Sequence, residues 1–313
     1  MQPLLLLSYG APQQREDVLP FLNHLFAGSD VPAERIAAAI QKYERYAAKT
    51  GRYSPLNAEC RKLIDGIRRI NPNLPVYWGN LFWHPLLVDT VAEMAHEGVK
   101  CAACFATSAF DSPYGNRRYA DALESARQTL GANAPALEKL PLPFEHPLFI
   151  EAQADRLLET LAPFHLAGTP APCILFSAHS IPLADADQSQ YVEQLQTTCR
   201  AVIEKGGTTI PWELVYQSRS GTAEYWLGPD IKERIGELAA AGRIKSLIVS
   251  PIGFFCENME TEYDLDVEVG AYCSELGLSF SRSKAVGTMP TICRLIMELT
   301  VTSGSPLTRF RQR

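Results

Sequence analysis

The chain contains 313 residues, which is long for one domain and sufficient for two domains that each bury a core. Hydrophobic residues make up 46% and charged residues 20%, a globular composition that excludes a disordered or fibrous chain. The net charge of −6, with no basic stripe to offset it, argues against a nucleic-acid-binding surface, and no apolar run approaches the roughly 20 residues of a membrane span.

Short apolar runs alternate with amphipathic stretches along the chain. The runs predict buried parallel strands at residues 3–8, 75–79, 100–107, 172–177, 211–216 and 245–250. The amphipathic stretches predict helices near residues 14–26, 32–48, 58–70, 86–97, 117–130, 148–162, 188–204, 230–241 and 287–299. Because the alternation runs twice, we predict an α/β fold with two doubly wound parallel sheets that face each other across a cleft.

The first predicted strand begins in an apolar run, residues 3–7, that has no positive flank and no cleavage site. It is therefore not a signal peptide, and we expect a cytoplasmic protein whose eight cysteines are reduced. The strand ends at Tyr9-Gly10, where glycine allows a sharp turn that leaves Tyr9 facing the cleft. The alternative is a half-buried tyrosine that only caps the strand.

Two cysteines at metal or redox spacing, Cys101 and Cys104, lie inside the third predicted strand. A thioredoxin-like pair opens a helix, and a structural zinc site needs a second pair. We therefore interpret both as small hydrophobic residues that pack in the core.

A histidine follows the strand at residues 172–177, in the sequence Ser177-Ala178-His179-Ser180. Its small neighbours allow the His179 ring to project from the strand end. A lone histidine is also commonly structural, and the Gly-x-Ser-x-Gly turn of a hydrolase is absent.

Acidic residues recur after the strand at residues 245–250. Glu260, Asp264 and Glu268 are four residues apart, which places them on one face of a predicted helix. Two interpretations are open, a solvated acidic face and a track of oxygen ligands for a divalent cation.

Six segments together resemble the ferrochelatase family, and they cover nearly the whole chain. They are Tyr53-Ser54-Pro55-Leu56-Asn57, Thr107-Ser108-Ala109-Phe110 through Arg117-Arg118-Tyr119, Phe176-Ser177-Ala178-His179-Ser180-Ile181-Pro182, Tyr216-Gln217-Ser218-Arg219-Ser220-Gly221, Trp226-Leu227-Gly228-Pro229-Asp230, and residues 253–268. The resemblance implies two Rossmann-like, chelatase-type domains, residues 1–145 and 146–285. It also implies a C-terminal helix within residues 286–313 that packs on the first domain.

The resemblance also implies roles for individual residues. His179 matches the family histidine at the metal site, and Glu260 matches the glutamate opposite it, so both are expected to be catalytic and metal-binding. Asp264 and Glu268 match the acidic residues behind that glutamate, and Tyr9 matches the tyrosine over the metal in bacterial coproporphyrin enzymes. The residues expected to hold the anionic porphyrin propionates are Ser54, Tyr114, Arg45 and Arg52.

The activity that the resemblance implies is insertion of ferrous iron into coproporphyrin III in haem biosynthesis. Metal insertion replaces two pyrrole N–H protons, and a histidine, with an ordinary pKa of about 6.5, can accept a proton near neutral pH. We expect His179 and Glu260 to act on opposite faces of the ring. A protoporphyrin IX ferrochelatase and a non-catalytic porphyrin or haem carrier are the alternatives.

Two departures from relatives limit what the resemblance implies. Relatives often have Asp-His where this chain has Glu257-Asn258, which removes one candidate proton shuttle. Cys293 alone lies near the C-terminal end, where some relatives hold an iron–sulfur cluster with several cysteines. We therefore predict no cluster and no permanently bound cofactor. Porphyrin and ferrous iron are the expected substrates, and a monomer is the expected state.

Overall fold

The computed structural model describes residues 2–166, 171–219 and 225–303. The chain divides into two compact units. The first unit comprises Met1–Thr107, Arg117–Pro141 and Cys293–Arg313, and the second comprises Ser108–Asn116 and Leu142–Ile292. The short segment Ser108–Asn116 thus belongs to the second unit, although the boundaries expected from the sequence assign it to the first domain.

In both units, strands are separated by one or more helices along the chain. The strands are β1 (Leu4–Ser8), β2 (Val76–Asn80), β3 (Cys101–Ala106), β4 (Ala136–Lys139), β5 (Cys173–His179), β6 (Trp212–Gln217), β7 (Ser246–Ser250) and β8 (Ser279–Arg282). The α-helices are α1 (Arg15–Leu25), α2 (Ala33–Thr50), α3 (Leu56–Ile70), α4 (Leu87–His96), α5 (Arg118–Leu130), α6 (Pro147–Leu166), α7 (Leu183–Asp187), α8 (Tyr191–Gly206), α9 (Ile231–Ala240), α10 (Gly270–Glu275) and α11 (Pro290–Ser303). Two π-helices span Pro113–Arg117 and Glu260–Val269.

The first unit is built on a parallel sheet with the strand order β2-β1-β3-β4. The central strand β1 is buried along its whole length, as expected for a parallel strand covered on both faces. Leu5 and Leu7 pack with Leu87 and Val91 of α4 and with Tyr119 of α5 on one face of the sheet. The predicted parallel α/β fold is confirmed for this sheet.

The C-terminal helix α11 enters the first unit at Cys293. The Sγ atom of Cys293 lies so close to Gly66 of α3 that a Cβ on this glycine would approach it to 2.5 Å. At the other end of α11, the side-chain amide of Gln2 donates a hydrogen bond to the Ser303 hydroxyl over 2.9 Å. The first and last of the described residues are therefore in contact within this unit.

The second unit repeats the arrangement with the order β6-β5-β7-β8, again fully parallel. Helix α9 covers one face of the sheet through Ile235. On the same face, the π-helix Glu260–Val269 contributes Leu265 and Val269 to the core cluster. Apolar contacts therefore anchor the π-helix to the sheet. These contacts fix the position of its polar residues with respect to the ends of the strands.

The six strands predicted from apolar runs are all present, but the edge strands β4 and β8 are not among the predictions. β4 alternates between exposed and half-buried residues, and no residue of β8 is fully buried. Edge strands without a continuous apolar run give no signal of the kind used for buried strands.

The cysteine pair of β3 has two different environments. Cys104 is fully buried, and burial raises the pKa of its thiol to about 12. Cys101 is exposed at the start of the strand, so the prediction that both cysteines pack in the core is wrong for Cys101. In a strand, side chains three positions apart point to opposite faces, which separates the two thiols.

Candidate active site

His179 is the last residue of β5, the central strand of the second unit. The residue before it, Ala178, is fully buried, and a Cβ at Gly253 would lie 2.6 Å from the Ala178 Cβ. The loop after β7 also bonds to the strand, since the Gly253 N–H donates to the Ser177 carbonyl over 3.0 Å. Small residues around the strand end are therefore required by close packing, and the histidine ring remains partly exposed.

The His179 ring is oriented by its own backbone. Nδ1 lies 2.6 Å from the Ser180 carbonyl oxygen, which only accepts hydrogen bonds, so Nδ1 carries a proton. The Tyr191 hydroxyl donates to the His179 carbonyl over 3.1 Å and ties the strand end to α8. The second ring nitrogen, Nε2, is left facing the start of the π-helix.

Glu260 is the first residue of the π-helix Glu260–Val269. The side-chain oxygen of Asn258 accepts hydrogen bonds from the backbone N–H groups of Glu260 and Thr261 over 2.8 and 3.0 Å. Asn258 therefore caps the helix start, a role for which asparagine is among the preferred residues. Asn258 therefore fixes the backbone of Glu260 at the start of the helix.

The side chains of His179 and Glu260 contact each other directly. Nε2 of His179 lies 3.4 Å from Oε1 of Glu260, and the two side chains are 37% and 35% exposed. A flat ring between them would need a separation of about 7 Å, two van der Waals contacts. This contact argues against the expectation that they act on opposite faces of a porphyrin, because no flat ring fits between two groups at this distance.

The charge of Glu260 changes the basicity of the histidine. Burial alone lowers the pKa of His179, but the Glu260 carboxylate, the Ser180 carbonyl and the charge of Asp264 raise it. The net effect is a pKa above the ordinary value of histidine. His179 therefore accepts a proton more readily than an isolated imidazole.

Asp264 lies one turn further along the π-helix and is buried. The Ser218 hydroxyl donates a hydrogen bond to Asp264 Oδ2 over 2.7 Å, and Ser218 adopts a φ of 59°, which is uncommon for a residue other than glycine. The neighbouring Gln217, which pairs in register with His179, donates from its amide to the Glu260 carbonyl over 3.2 Å. Gln217 at the end of β6 and Ser218 directly after it therefore each form a hydrogen bond with the π-helix.

Glu268 has a different environment from Asp264. Its carboxylate forms an ion pair with Lys232 of α9 over 2.9 Å, and both side chains are substantially exposed. The helix that carries the acidic residues has hydrogen bonds of the i→i+5 type, so the predicted α-helical face is wrong in its geometry. The three carboxylates have three different partners, namely His179, Ser218 and Lys232.

The ligand role predicted for these residues stays a prediction. Across the described ranges, which end at residue 303, no group of three or more His, Cys, Asp or Glu side chains is placed to hold a metal ion. In the same ranges, no helix is both long and apolar enough to cross a membrane.

The residues expected to bind propionates lie in both units. Tyr114 belongs to the second unit, and its hydroxyl donates to Asp185 of α7 over 2.8 Å. In the first unit, Arg45 of α2 donates to Gln41, Arg52 donates from Nε to the Tyr46 hydroxyl, and the Ser54 hydroxyl accepts from the Leu56 N–H. Their role in substrate binding stays a prediction.

Tyr9 also belongs to the first unit, directly after β1. Its ring packs against Phe82 and Tyr119 with centroid distances of 5.1 and 5.9 Å. Gly10 follows with a φ of 74°, and a Cβ there would lie 2.9 Å from the Asn80 Cβ. The sharp turn predicted after β1 is therefore present, and it requires glycine.

Three residues that support the site were not among the predicted site residues, although Gln217 and Ser218 lie in one of the six segments that resemble the family. Ser218, Gln217 and Asn258 act through contacts with the π-helix, and these contacts depend on how the loops after β6 and β7 pack. For Asn258 a local signal existed, since an asparagine before a helical stretch is a common cap.

Comparison with known sequences assigns the chain to one group of proteins. A family profile described as ferrochelatase matches residues 2–303. The ferrochelatase of Rhodopirellula baltica is 39% identical over 304 residues, which cover 94% of this chain and 85% of the relative. The coproporphyrin III ferrochelatase of Frankia alni is 42% identical over 308 residues, which cover 95% of this chain and 78% of the relative.

Among solved structures, a sirohydrochlorin chelatase from Bacillus subtilis subspecies spizizenii, determined in complex with cobalt, has a similar fold. The TM-score is 0.59 at 11% identity, with 99% of this chain and 98% of the other covered. At this identity the likeness concerns the fold alone, and it agrees with the two parallel sheets described above.

Proposed function

The chain belongs to the ferrochelatase family, and from that premise we propose that it inserts ferrous iron into coproporphyrin III in haem biosynthesis. Coproporphyrin III is the substrate named for the Frankia alni relative. The observation that carries the proposal is the contact between His179 Nε2 and Glu260 Oε1 at the end of the central strand of the second unit.

The reaction needs a group that removes protons where the metal enters. Each of two pyrrole N–H bonds breaks, its electron pair stays on nitrogen to bond the iron, and two protons leave. His179 is suited to accept them, because Nδ1 is protonated and bonded to Ser180, which leaves Nε2 as the acceptor. Because its pKa is raised, the neutral imidazole of His179 is a stronger base than an isolated imidazole.

Glu260 can transfer protons from His179 to solvent. Its carboxylate lies 3.4 Å from Nε2 and is partly exposed, so a proton taken up by His179 can pass to it and then to solvent. The same imidazole and carboxylate are ligand types that bind a divalent iron substrate. On this proposal His179 and Glu260 act from one side of the macrocycle.

The substrate-binding residues complete the proposal. Coproporphyrin carries carboxylates at its edge, and the cations Arg45 and Arg52 and the hydroxyls of Ser54 and Tyr114 are the groups we propose to bind them. We place Tyr9 over the metal on the strength of the resemblance described above. Asp264 and Glu268 are proposed to continue the acidic path from Glu260.

The remaining expectations are part of the same proposal. Iron and porphyrin are substrates, and we propose that the chain holds no resident cofactor and works as a monomer in the cytoplasm. The eight cysteines are free thiols, as is usual for proteins in a reducing compartment. Anaerobic iron analysis of the purified protein and its sedimentation would test the first two points.

Turnover with two porphyrins tests the function directly. The purified protein is mixed without oxygen with Fe(II) and either coproporphyrin III or protoporphyrin IX, and the loss of porphyrin fluorescence is followed. We expect faster metallation of coproporphyrin III. The matched variants are His179→Ala, which removes the proposed base, and His96→Ala, which removes an exposed histidine of α4 and should leave turnover unchanged.

Other outcomes would change the assignment in defined ways. Faster turnover of protoporphyrin IX would keep the enzyme and replace its substrate. Tight binding of either porphyrin without metallation would reject the enzyme and support a carrier.

A further inference from the structure

A buried arginine bridges two points of the segment that carries Glu260. Arg282 is the last residue of β8 and pairs in register with Val249 near the end of β7. Its Nη1 donates to both carboxylate oxygens of Glu257 over 2.9 and 3.1 Å. Its Nε and Nη2 donate to the two carboxylate oxygens of Asp266 over 2.6 and 2.7 Å. One planar guanidinium therefore binds residues on both sides of Glu260.

Glu257 in turn contacts the first turn of the π-helix. Its Oε2 accepts a hydrogen bond from the Thr261 hydroxyl over 2.7 Å, and its Oε1 accepts from the Ala285 N–H over 2.7 Å. The Thr261 hydroxyl oxygen also accepts from the Asn258 N–H, and Asn258 caps the helix. These contacts join β8 to the backbone of Glu260 through a continuous series of charged and neutral hydrogen bonds.

The environment of Glu257 excludes a role as a mobile proton acceptor. The side chains of Glu257 and Arg282 are only 9% and 7% exposed. Burial by itself raises the pKa of Glu257, but Arg282, Thr261 and the Ala285 N–H lower it, and the net pKa lies below the ordinary value. The carboxylate therefore stays ionised, with both of its oxygens bound.

We propose that Arg282 is a positioning residue for metal insertion, which holds the π-helix so that the Glu260 carboxylate stays in contact with His179. The proposal rests on the proposed function, since it concerns the same site. A guanidinium binds two carboxylates at once in a fixed planar geometry, whereas an ammonium group on a flexible stem cannot do so. Supporting groups of this kind commonly change metal affinity or activity by about 10- to 100-fold when they are altered.

The test compares two arginines of the second unit. Arg282→Lys keeps the positive charge but loses the planar guanidinium group that binds both carboxylates. The control is Arg234→Lys, because Arg234 of α9 also binds two glutamates, with a fork on Glu213 at 2.6 and 2.8 Å and a contact to Glu237 at 2.7 Å. Three quantities are measured for each variant, namely the melting temperature, kcat and KM for coproporphyrin III, and the affinity for Co(II) alone by titration.

We expect Arg282→Lys to lower kcat and weaken Co(II) binding by about 10- to 100-fold, with little change in KM for the porphyrin. The melting temperature should fall in both variants and further in Arg282→Lys, whose ion pair is more deeply buried, whereas Arg234→Lys should keep wild-type kcat and Co(II) affinity. Asp266→Asn, at the exposed side of the bridge, should give a smaller loss of the same kind, and it replaces Arg282→Lys if that variant does not fold.

The proposal is overturned if Arg282→Lys and Asp266→Asn keep wild-type kcat and Co(II) affinity, or if Arg234→Lys loses them equally. A wild-type protein that fails to metallate any porphyrin would reject the proposed function. The Co(II) titrations would still decide the positioning role in that case, because they need no turnover.

Discussion

The two sheets have the same topology but carry different chemistry at the ends of their central strands. In each sheet the first strand of the unit lies second in the order, and all neighbours are parallel. β1 ends at Ser8, whose hydroxyl bonds to Asn80, and is followed by Tyr9, which packs on aromatic rings. β5 ends at His179, which contacts Glu260. The fold is therefore common to both units, whereas the reactive groups come from individual residues placed on it.

The loops behind the two strand ends also differ in polarity. In the second unit, the segment after β7 includes a buried ion pair, Glu257 with Arg282, and a π-helix that begins with Glu260. In the first unit, β2 corresponds to β6 by sheet order, and the segment after it is Leu81-Phe82-Trp83-His84, in which Trp83 packs against His24 and His84. At these positions the second unit therefore carries charged and titratable groups, and the first unit carries aromatic rings.

Removal of the central histidine is the strongest test of this contrast. His179→Ala eliminates the proposed proton acceptor, and we expect kcat/KM for coproporphyrin III to fall by roughly 10²- to 10⁴-fold. Stopped-flow fluorescence measures the rate, and porphyrin binding measured separately should persist. Wild-type turnover by this variant would show that the second unit does not supply the base.

The carboxylate partner gives the next largest effect. Glu260→Gln should lower kcat by about 10²-fold and lower the pKa of His179, because Glu260 is the main group that raises it. Activity needs the neutral imidazole, so the acidic limb of the pH profile should move to lower pH in the variant. A His179 NMR titration that does not change on this substitution would contradict the electrostatic account.

The same pKa shift has a consequence for stability. Since the pKa of His179 is raised on folding, its protonation stabilises the folded state below the ordinary pKa of histidine. This contribution is lost as the pH rises through the raised value. Glu260→Gln should therefore flatten the pH dependence of the melting temperature in that window.

Two substitutions of Ser218 distinguish the effect of its hydrogen bond on turnover from the effect of its backbone conformation on stability. Ser218→Ala and Ser218→Gly both remove the donor to Asp264, and each should lower kcat by about tenfold. Glycine adopts the observed φ of 59° without strain, so the alanine variant should have the lower melting temperature. Equal melting temperatures would contradict the argument from strain, and an unchanged kcat would show that the hydrogen bond from Ser218 to Asp264 does not contribute to turnover.

Tyr9 should give the smallest effect. Tyr9→Phe keeps the ring contacts with Phe82 and Tyr119, so the melting temperature should not change. Turnover of coproporphyrin III should fall less than in the variants of His179, Glu260 and Ser218. A loss as large as that of His179→Ala would mean that the first unit also contributes an essential polar group.

The sequence predicted well the parts of the molecule that depend on local pattern. The uninterrupted leucines of β1 and the apolar residues of β5 identify central strands, because strands buried on both faces need apolar side chains at every position. His179 and Glu260 were identified from motifs at strand and helix ends. The short strand β4 was missed, since its exposed residues give no apolar run.

Only the tertiary structure decided how the reactive groups are arranged. The contact between His179 and Glu260 and the bridge from Arg282 to Glu257 and Asp266 join segments that are distant in the sequence. The π-helix that replaces the expected α-helix depends on how these segments pack. Hydrophobic periodicity records which face of an element is buried. It does not record which side chain meets which across the end of a sheet, because that depends on the loops and neighbouring strands together.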